Sequence, residues 1–454
     1  MSAELLNIRG GKPLKGHLKA SGAKNATTKL LVASLISHQK AVFKNVPNIG
    51  DVSITVNLCQ EIGSEIAWDQ EAGVIEIQTK ELRTTYVPQR FSGANRIPIL
   101  MLGALLGRTD HDVIVPTLGG DALGKRPVDY HIAALELLGA KIEYREMKQE
   151  GAYFARAHQG LTGTVIKFAY PSVGATENAL FAAAKARGTT IIQNAALEPE
   201  VLDIILFLQK MGVSISLLKD RTIKVEETKQ FYPAEHTIMP DRNEIVSYAL
   251  AAVATQGNVF IEGARQHMLL SFLNPLRQIG GGYSIEENGI SFFYERALRG
   301  NLHIETDVHP GFMTDWQQPF CVVLTQVEGI SIIHETVYEQ RFGYTKILRE
   351  MGADIHLFSH CLGGGACRFS LGQHLHSAVI RGKTVLQGKK IAIPDLRAGF
   401  AYIMAALIAK DSSSITNVHY LDRGYADIEK NLANLGADIE RVSSEEKVAE
   451  PTAV

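Results

Sequence analysis

Leu208-Gln209-Lys210-Met211-Gly212-Val213-Ser214-Ile215 returns later in the chain as Leu348 to Ile355 (LREMGADI) and as Leu432 to Ile439 (LANLGADI). The shared pattern is a leucine, three residues, a glycine, a small or polar pair and an isoleucine. Looser copies stand at Ile62 to Ile66, at Leu135 to Ile142 (LELLGAKI) and at Leu276 to Gly281 (LRQIGG). Each copy reads as a helix C-terminus, a glycine cap and a strand leaving it. The six glycines are Gly63, Gly139, Gly212, Gly280, Gly352 and Gly436. Their spacings run from 68 residues (212 to 280) to 84 residues (352 to 436), longer than the common solenoid periods.

Upstream of these glycines a second element recurs, rich in β-branched residues and often closed by an asparagine or an acid. Its copies are Val42 to Val46, Val113 to Val115, Thr190 to Asn194, Val259 to Glu262, Ile330 to His334 and Ser414 to Val418. Before each comes an apolar helix: Thr27 to Ile36, Ile97 to Leu106, Glu177 to Ala186, Glu244 to Ala254, Gln318 to Val327 and Gly399 to Ala409. Most are apolar nearly all round, as a helix buried in the middle of a domain must be. The sequence therefore predicts an α/β (α+β) protein of two domains. Each domain would hold three βαβαββ units with helices inside and sheets outside, and a cleft between the domains would carry the active site. A doubly wound parallel sheet competes with this reading, but no G-x-G-x-x-G follows a strand and no P-loop is present.

Length agrees with two domains, since 454 residues exceed what one core usually holds. A net charge of -2 gives no whole-molecule argument for nucleic acid or a membrane surface, so any anion site must be a local cluster of cations. Met1 to Gly16 lacks the apolar core of a signal peptide, and runs such as Ile97 to Leu106 fall short of a bilayer span, so a cytoplasmic protein is expected. Cys59, Cys321, Cys361 and Cys367 are too few for a disulfide framework and are expected as reduced thiols.

Leu118 to Pro127 packs three glycines, Asp121, Lys125 and Arg126 into ten residues, followed by Val128, Asp129, Tyr130 and His131. That composition describes a mobile loop able to bring charge to an anion, or a plain glycine-rich turn. Lys24 and Asn25 lie in a Gly-Ala-Lys-Asn turn before an apolar helix, a natural anion contact beside backbone N–H groups. Read blandly, it is a helix start capped by Asn25 or Thr27. Asp315 opens another helix and could cap it. Gly280 to Tyr283 reads as a tight turn, and Ser443 to Val454 as a disordered end.

The sixfold repeat and the glycine loop resemble the enolpyruvyltransferases, and the motifs are similar to the branch that acts on UDP-N-acetylglucosamine over nearly the full chain. The matching residues are Ser21 to Ala26; Gly119-Gly120 through Arg126-Pro127-Val128-Asp129 and His131; and Ser172-Val173-Gly174-Ala175-Thr176. They continue through Pro240-Asp241-Arg242, His309 to Phe312 with Thr314-Asp315, Glu335 to Val337 with Glu339 and Arg341-Phe342, Asp395 to Ala398, and Asp422 to Tyr425. The shikimate branch would show Gly-Ser-Lys-Ser where this chain has Gly-Ala-Lys-Asn.

The resemblance implies transfer of the enolpyruvyl group of phosphoenolpyruvate to a sugar hydroxyl, by addition and then elimination of phosphate, without metal or organic cofactor. It implies domains at 22–238 and at 1–21 plus 239–454. Phosphoenolpyruvate would be held by Lys24, Asn25, Arg96, Arg126, Arg397 and Arg423, because its phosphate and carboxylate call for several cations. Arg90 competes with Arg96. The UDP-sugar would meet Asn25, Arg126, Pro127, Val128, Asp129, His131, Ser172, Val173, Gly174, Asp315 and Val337. Asp315 would accept the sugar hydroxyl's proton, with Lys24 and Arg397 beside the reacting groups.

Three departures stand out. Most relatives carry a cysteine at Asp121, the one alkylated by fosfomycin, so insensitivity to that drug is expected and Asp121 would be the proton donor instead. Tyr170 stands where many relatives carry a lysine. His360 to His376 looks like an insertion holding Cys361, Cys367, His374 and His376. These are zinc-ligand types, but their spacing matches none of the common structural patterns, so a glycine-rich hairpin extension with free thiols and no metal is expected. Transfer to a different acceptor, and a homologue that binds nucleotide sugar without turnover, are the alternative functions. A monomer or weak homo-oligomer is expected.

Overall fold

The structure, a computed structural model, describes residues 4–93, 95–118, 127–146, 151–365 and 367–443. The described residues between 21 and 240 form one compact unit, and those of 4–20 with 241–443 form the other.

One repeat shows how each unit is built. The strand Val165–Lys167 leads into the buried helix Val173–Ala183, and Thr190–Gln193 then returns parallel to the first strand. The amphipathic helix Pro199–Lys210 follows, Gly212 ends it, and the antiparallel hairpin of Ile215–Leu218 and Thr222–Val225 completes the sheet. The other sheets repeat this strand order, giving three in each unit among the described residues. In one of them the first strand shrinks to a single bridge, Tyr86 to Ile114. In another, the last strand is supplied by the chain's own start: Glu4–Arg9 pairs with Ser412–Thr416 and with Asp438–Ser443.

The sequence pattern dictates this arrangement. All six glycines sit at positive φ, between +94° and +122°, where a side chain would strain the backbone and glycine does not. Three of the strand-ending asparagines, Asn45, Asn194 and Asn417, also adopt positive φ. Each donates its side-chain amide across the sheet, to the carbonyls of Ile238 (3.0 Å), Phe168 (2.9 Å) and Ile393 (3.3 Å), so one latch recurs in three repeats. Asparagine suits it because its short amide tolerates a left-handed backbone.

The central helices are buried on every side. Ala175 to Ala183, Arg242 to Val253, Gln317 to Leu324 and Leu396 to Leu407 are all buried. Each fully buried Leu, Ile or Phe contributes about 1.5–3 kcal/mol, so these helices form the core and the sheets cover it. One polar side chain inside them, Asn178, is paired in both directions: it accepts from the Gly103 N–H (2.8 Å) and donates to the Ile99 carbonyl (3.2 Å). Among the described residues no helix is long and apolar enough to cross a membrane.

Several boundaries differ from the sequence reading. Helices expected from Thr27, Glu177, Glu244 and Gly399 begin at Lys24, Val173, Arg242 and Leu396; in the last two the added turn holds buried polar residues, Arg242, Asn243 and Arg397, that look like loop in the sequence. Gly281 and Gly282 are not a tight turn but belong to the strand Gly281–Ile285. A Cβ on Gly282 would lie 2.2 Å from the Phe293 ring, so glycine is there to let the aromatic lie across the strand. Ser443, expected in the tail, pairs with Glu4, and residues 444–454 lie outside the described residues.

Candidate active site

The predicted residues fall into two sets, one in each unit. In the 21–240 unit, Lys24 is the first residue of the helix Lys24–Ala33. Neither Asn25 nor Thr27 caps that helix: the N-cap is Ala23, which offers no side chain, and the Thr27 hydroxyl donates back to the Ala23 carbonyl (2.8 Å). The first-turn amides thus have no side-chain cap, which suits an anion contact. The Lys24 ammonium pairs with the buried Asp51 (2.7 Å), from the first turn of Gly50–Ile62.

Arg96 reaches toward the Pro127 carbonyl (3.5 Å), and its charge, after burial, helps lower the pKa of His131 to about 3. Arg90 instead pairs with Glu61 on the surface and lies over the Phe91 ring. Between the two candidates, Arg96 is the one beside the other predicted residues. His131 stands on the helix Asp129–Leu137, buried and uncharged at neutral pH. Its Nδ1 faces the Asn178 amide nitrogen at 3.2 Å. Because the Asn178 oxygen is engaged by Gly103, the amide presents N–H to His131, so the imidazole carries its proton on Nε2. A Cβ on Gly174 would lie 3.0 Å from this ring, which explains a glycine there. Ser172 caps the helix Val173–Ala183, accepting the Ala175 N–H at 3.4 Å. Val128 is the N-cap residue of Asp129–Leu137 and makes no side-chain cap bond. Asp121 and Arg126, with Gly119, Gly120 and Gly124 of the expected lid, lie outside the described residues.

The other unit holds the second set. Asp315 lies in the 3-10 turn Thr314–Trp316 ahead of Gln317–Leu324, and the turn's N-cap is Met313, so the expected capping role is not the one it fills. Its carboxylate is gripped by two arginines: one oxygen by Arg341, the other by Arg397 Nε at 3.1 Å. Arg341 is fully buried. Burial alone would lower its pKa, but Asp315 and Glu335 more than offset that and raise it.

Arg397 sits in the first turn of Leu396–Ile408, where Asp395 caps the helix by accepting the Arg397 and Ala398 N–H groups (2.9 and 3.0 Å). Burial again opposes its charge, and Asp315, Tyr425 and Asp241 prevail and raise its pKa. Burial pushes the Tyr425 hydroxyl up to about 12 against the pull of Arg397, and that hydroxyl meets Ser247 Oγ at 3.0 Å. Arg423 follows the short helix His419–Asp422, half buried. Val337 is fixed from below: buried Glu335 accepts the N–H groups of Val337 (2.7 Å) and Tyr338 (3.0 Å), and its other oxygen takes the Thr314 hydroxyl (2.8 Å).

Sequence reasoning gave no role to Asp51, Glu335 or Arg341. Arg341 and Glu335 lay inside a quoted motif, and Asp51 stood as an acid at a helix start, so the signals were there without the pairings.

This geometry has relatives. The sequence model described as EPSP synthase (3-phosphoshikimate 1-carboxyvinyltransferase) matches residues 8–432. The chain is 61% identical to the UDP-N-acetylglucosamine 1-carboxyvinyltransferase of Protochlamydia amoebophila over 98% of its own length and 96% of that protein's. It is 35% identical to UDP-N-acetylglucosamine 1-carboxyvinyltransferase 1 of Staphylococcus aureus, covering 96% and 99% of the two chains. Among solved structures, the enolpyruvyl transferase NikO from Streptomyces tendae superposes with a TM-score of 0.84 at 21% identity over 98% of this chain and all of that one, a likeness of fold. With two sets of paired cations on a sixfold repeated frame and relatives matched almost end to end, the chain belongs to the enolpyruvyl (carboxyvinyl) transferase family.

Proposed function

We propose that this protein is a transferase that moves the enolpyruvyl group of phosphoenolpyruvate to the 3-hydroxyl of UDP-N-acetylglucosamine with release of phosphate, the first committed step of peptidoglycan synthesis. The acceptor rests on the 61% identical relative, whose name states that activity. The chemistry rests on one observation, the Asp315 carboxylate held between Arg341 and Arg397.

A carboxylate with both oxygens engaged is oriented rather than free. Phosphoenolpyruvate brings anionic groups that compete for Arg397. When Arg397 turns to the substrate, the buried Arg341 keeps its grip on one Asp315 oxygen and the other becomes available to the sugar hydroxyl. That oxygen takes the hydroxyl proton as the sugar oxygen bonds to C2 of phosphoenolpyruvate, and C3 gains a proton. Loss of a proton from C3 then expels phosphate and restores the double bond. Lys24 follows the same logic, being held ready by Asp51. Arg96, Arg126 and Arg423 would complete the anion contacts with Asn25. Pro127, Val128, Asp129, His131, Ser172, Val173, Gly174 and Val337 would meet the nucleotide sugar. Asp121 is the proposed donor to C3, in the cytoplasm and without membrane or nucleic-acid partners.

Phosphate release from phosphoenolpyruvate across a panel of acceptors tests the proposal. Turnover with UDP-N-acetylglucosamine is expected. Turnover only with another acceptor, or binding without release, would overturn it.

A further inference from the structure

The insertion after the strand Asp354–Phe358 returns through Cys361, Cys367 and His376 to the antiparallel strand Ser377–Gly382. As expected, it extends a hairpin. What the spacing did not reveal is a fourth residue from the neighbouring strand Gly329–His334. Ligand atoms of His334, Cys361, Cys367 and His376 all lie within 4.8 Å of one another. Tetrahedral zinc with two thiolates and two imidazoles places its ligand atoms about 3.3–3.8 Å apart, given bonds of about 2.3 and 2.0–2.1 Å. The Cys361 sulfur and His376 Nε2 are already at 3.3 Å.

The surroundings fix both histidines for metal binding. His376 Nδ1 faces the His374 carbonyl at 2.7 Å, and a carbonyl only accepts, so the proton is on Nδ1 and Nε2 presents its lone pair. His334 Nδ1 meets Ser377 Oγ at 2.9 Å. That hydroxyl donates its one proton to the His360 carbonyl (2.7 Å), so it accepts from His334, whose Nε2 is likewise left as a lone pair. His334 is fully buried, and its Nε2 is a buried polar atom with no hydrogen-bond partner among the described residues. An orphaned acceptor facing two thiols and a second imidazole calls for a cation. The Phe369 N–H donates to the Cys367 sulfur (3.3 Å). Glu305 holds the loop in place, accepting the N–H groups of Gly364 (3.0 Å) and Gly365 (3.4 Å). Gly363 has no room for a side chain, since its Cβ would lie 2.2 Å from the His334 ring.

We infer that His334, Cys361, Cys367 and His376 form a closed four-coordinate site for a divalent metal of zinc type, which staples the 359–376 loop to the sheet. Two soft thiolates with two imidazoles select zinc over magnesium or calcium, and four protein ligands leave no open position for catalysis. A metal here departs from the sequence expectation of a loop without one. Binding displaces one proton from each thiol. The loop so fixed carries Arg368, whose guanidinium donates to the Val337 carbonyl.

Untagged full-length protein, purified without chelator, should carry one zinc per chain, and the Cys361→Ser/Cys367→Ser variant should lose it at least tenfold. Stripped protein titrated with cobalt should develop the visible spectrum of a tetrahedral thiolate site, which zinc abolishes. That readout decides the matter even if the variant folds poorly. Alkylation of native protein should modify Cys361 and Cys367 only after a chelator is added. Equal zinc in wild type and variant, an octahedral cobalt spectrum, or a Cys361–Cys367 disulfide in reducing buffer would each overturn the inference.

Discussion

Replacing Glu177 by glutamine should make the protein more stable at alkaline pH and leave it unchanged at acid pH. Glu177 is fully buried in the helix Val173–Ala183, and neither carboxylate oxygen has a hydrogen-bond partner among the described residues. Lys29 stands 3.9 Å away, too far to satisfy it. Burial raises the Glu177 pKa to about 7, Lys29 opposes the rise, and the charges of Glu200 and Glu198 add to it. The folded state therefore holds the proton more tightly than the unfolded chain, whose carboxyl titrates near 4.5. The stability tied to the protonated acid is complete below the unfolded value and disappears as pH rises through about 7. A shift from 4.5 to about 7 corresponds to roughly 3 kcal/mol at 1.36 kcal/mol per unit. Glutamine keeps the shape and cannot ionise. The difference between Glu177→Gln and wild type should grow from near zero at about pH 4, through about 1 kcal/mol at pH 5, to about 3 kcal/mol at pH 8. Urea unfolding at several pH values, followed by fluorescence to which Trp68 in the same unit contributes, measures it. A difference independent of pH, or a less stable variant at pH 8, would refute the reasoning.

Four further outcomes are expected. Asp315→Asn should lower kcat for phosphate release about 10²- to 10⁴-fold while circular dichroism stays native, and a kcat within about tenfold of wild type would remove Asp315 as the base. Gly436→Ala should cost about 1 kcal/mol in urea unfolding, since its φ is +94° and the nearest atom to a new Cβ is 3.9 Å away. Gly63→Ala should cost about 3 kcal/mol, because φ is +122° and the Cβ would meet the Arg83 nitrogen and Glu81 oxygen at 2.8 Å; equal costs would show that the close approach is relieved. Wild-type enzyme should resist fosfomycin, Asp121→Cys should become subject to time-dependent inactivation, and its pH–rate profile should move upward, the thiol's reference pKa being about 8.5 against about 3.9. Superimposable profiles would exclude Asp121 as the acid.

The fold was legible because its signals are local. A glycine at positive φ, a strand ending in asparagine and an all-apolar helix are each written within a dozen residues, and repetition makes them unmistakable. The helix read from Glu244 begins two residues earlier because Arg242 and Asn243 look exposed in sequence, whereas both are buried and Asp241 accepts the Asn243 N–H. The candidate site was legible only through the resemblance. Asp315 pairs with an arginine 26 residues away and with another much farther along, and no periodicity encodes such pairings. His334 escaped notice for the same reason, as a metal-ligand type with no partner in its own stretch of chain.

The first strand has a consequence for how the protein is made. Glu4–Arg9 is an interior strand, and both its partners, Ser412–Thr416 and Asp438–Ser443, are made only after the whole of the 21–240 unit. The 21–240 unit can close during synthesis, because its strands and helices are all present once residue 240 has emerged. The opening strand must wait until residues 412–443 have been made, with Leu5, Leu6 and Ile8 uncovered until the two strands that flank it arrive. Nascent chains halted before residue 412 should therefore hold a finished first unit and an exposed N-terminus, the stage at which a chaperone has most to protect.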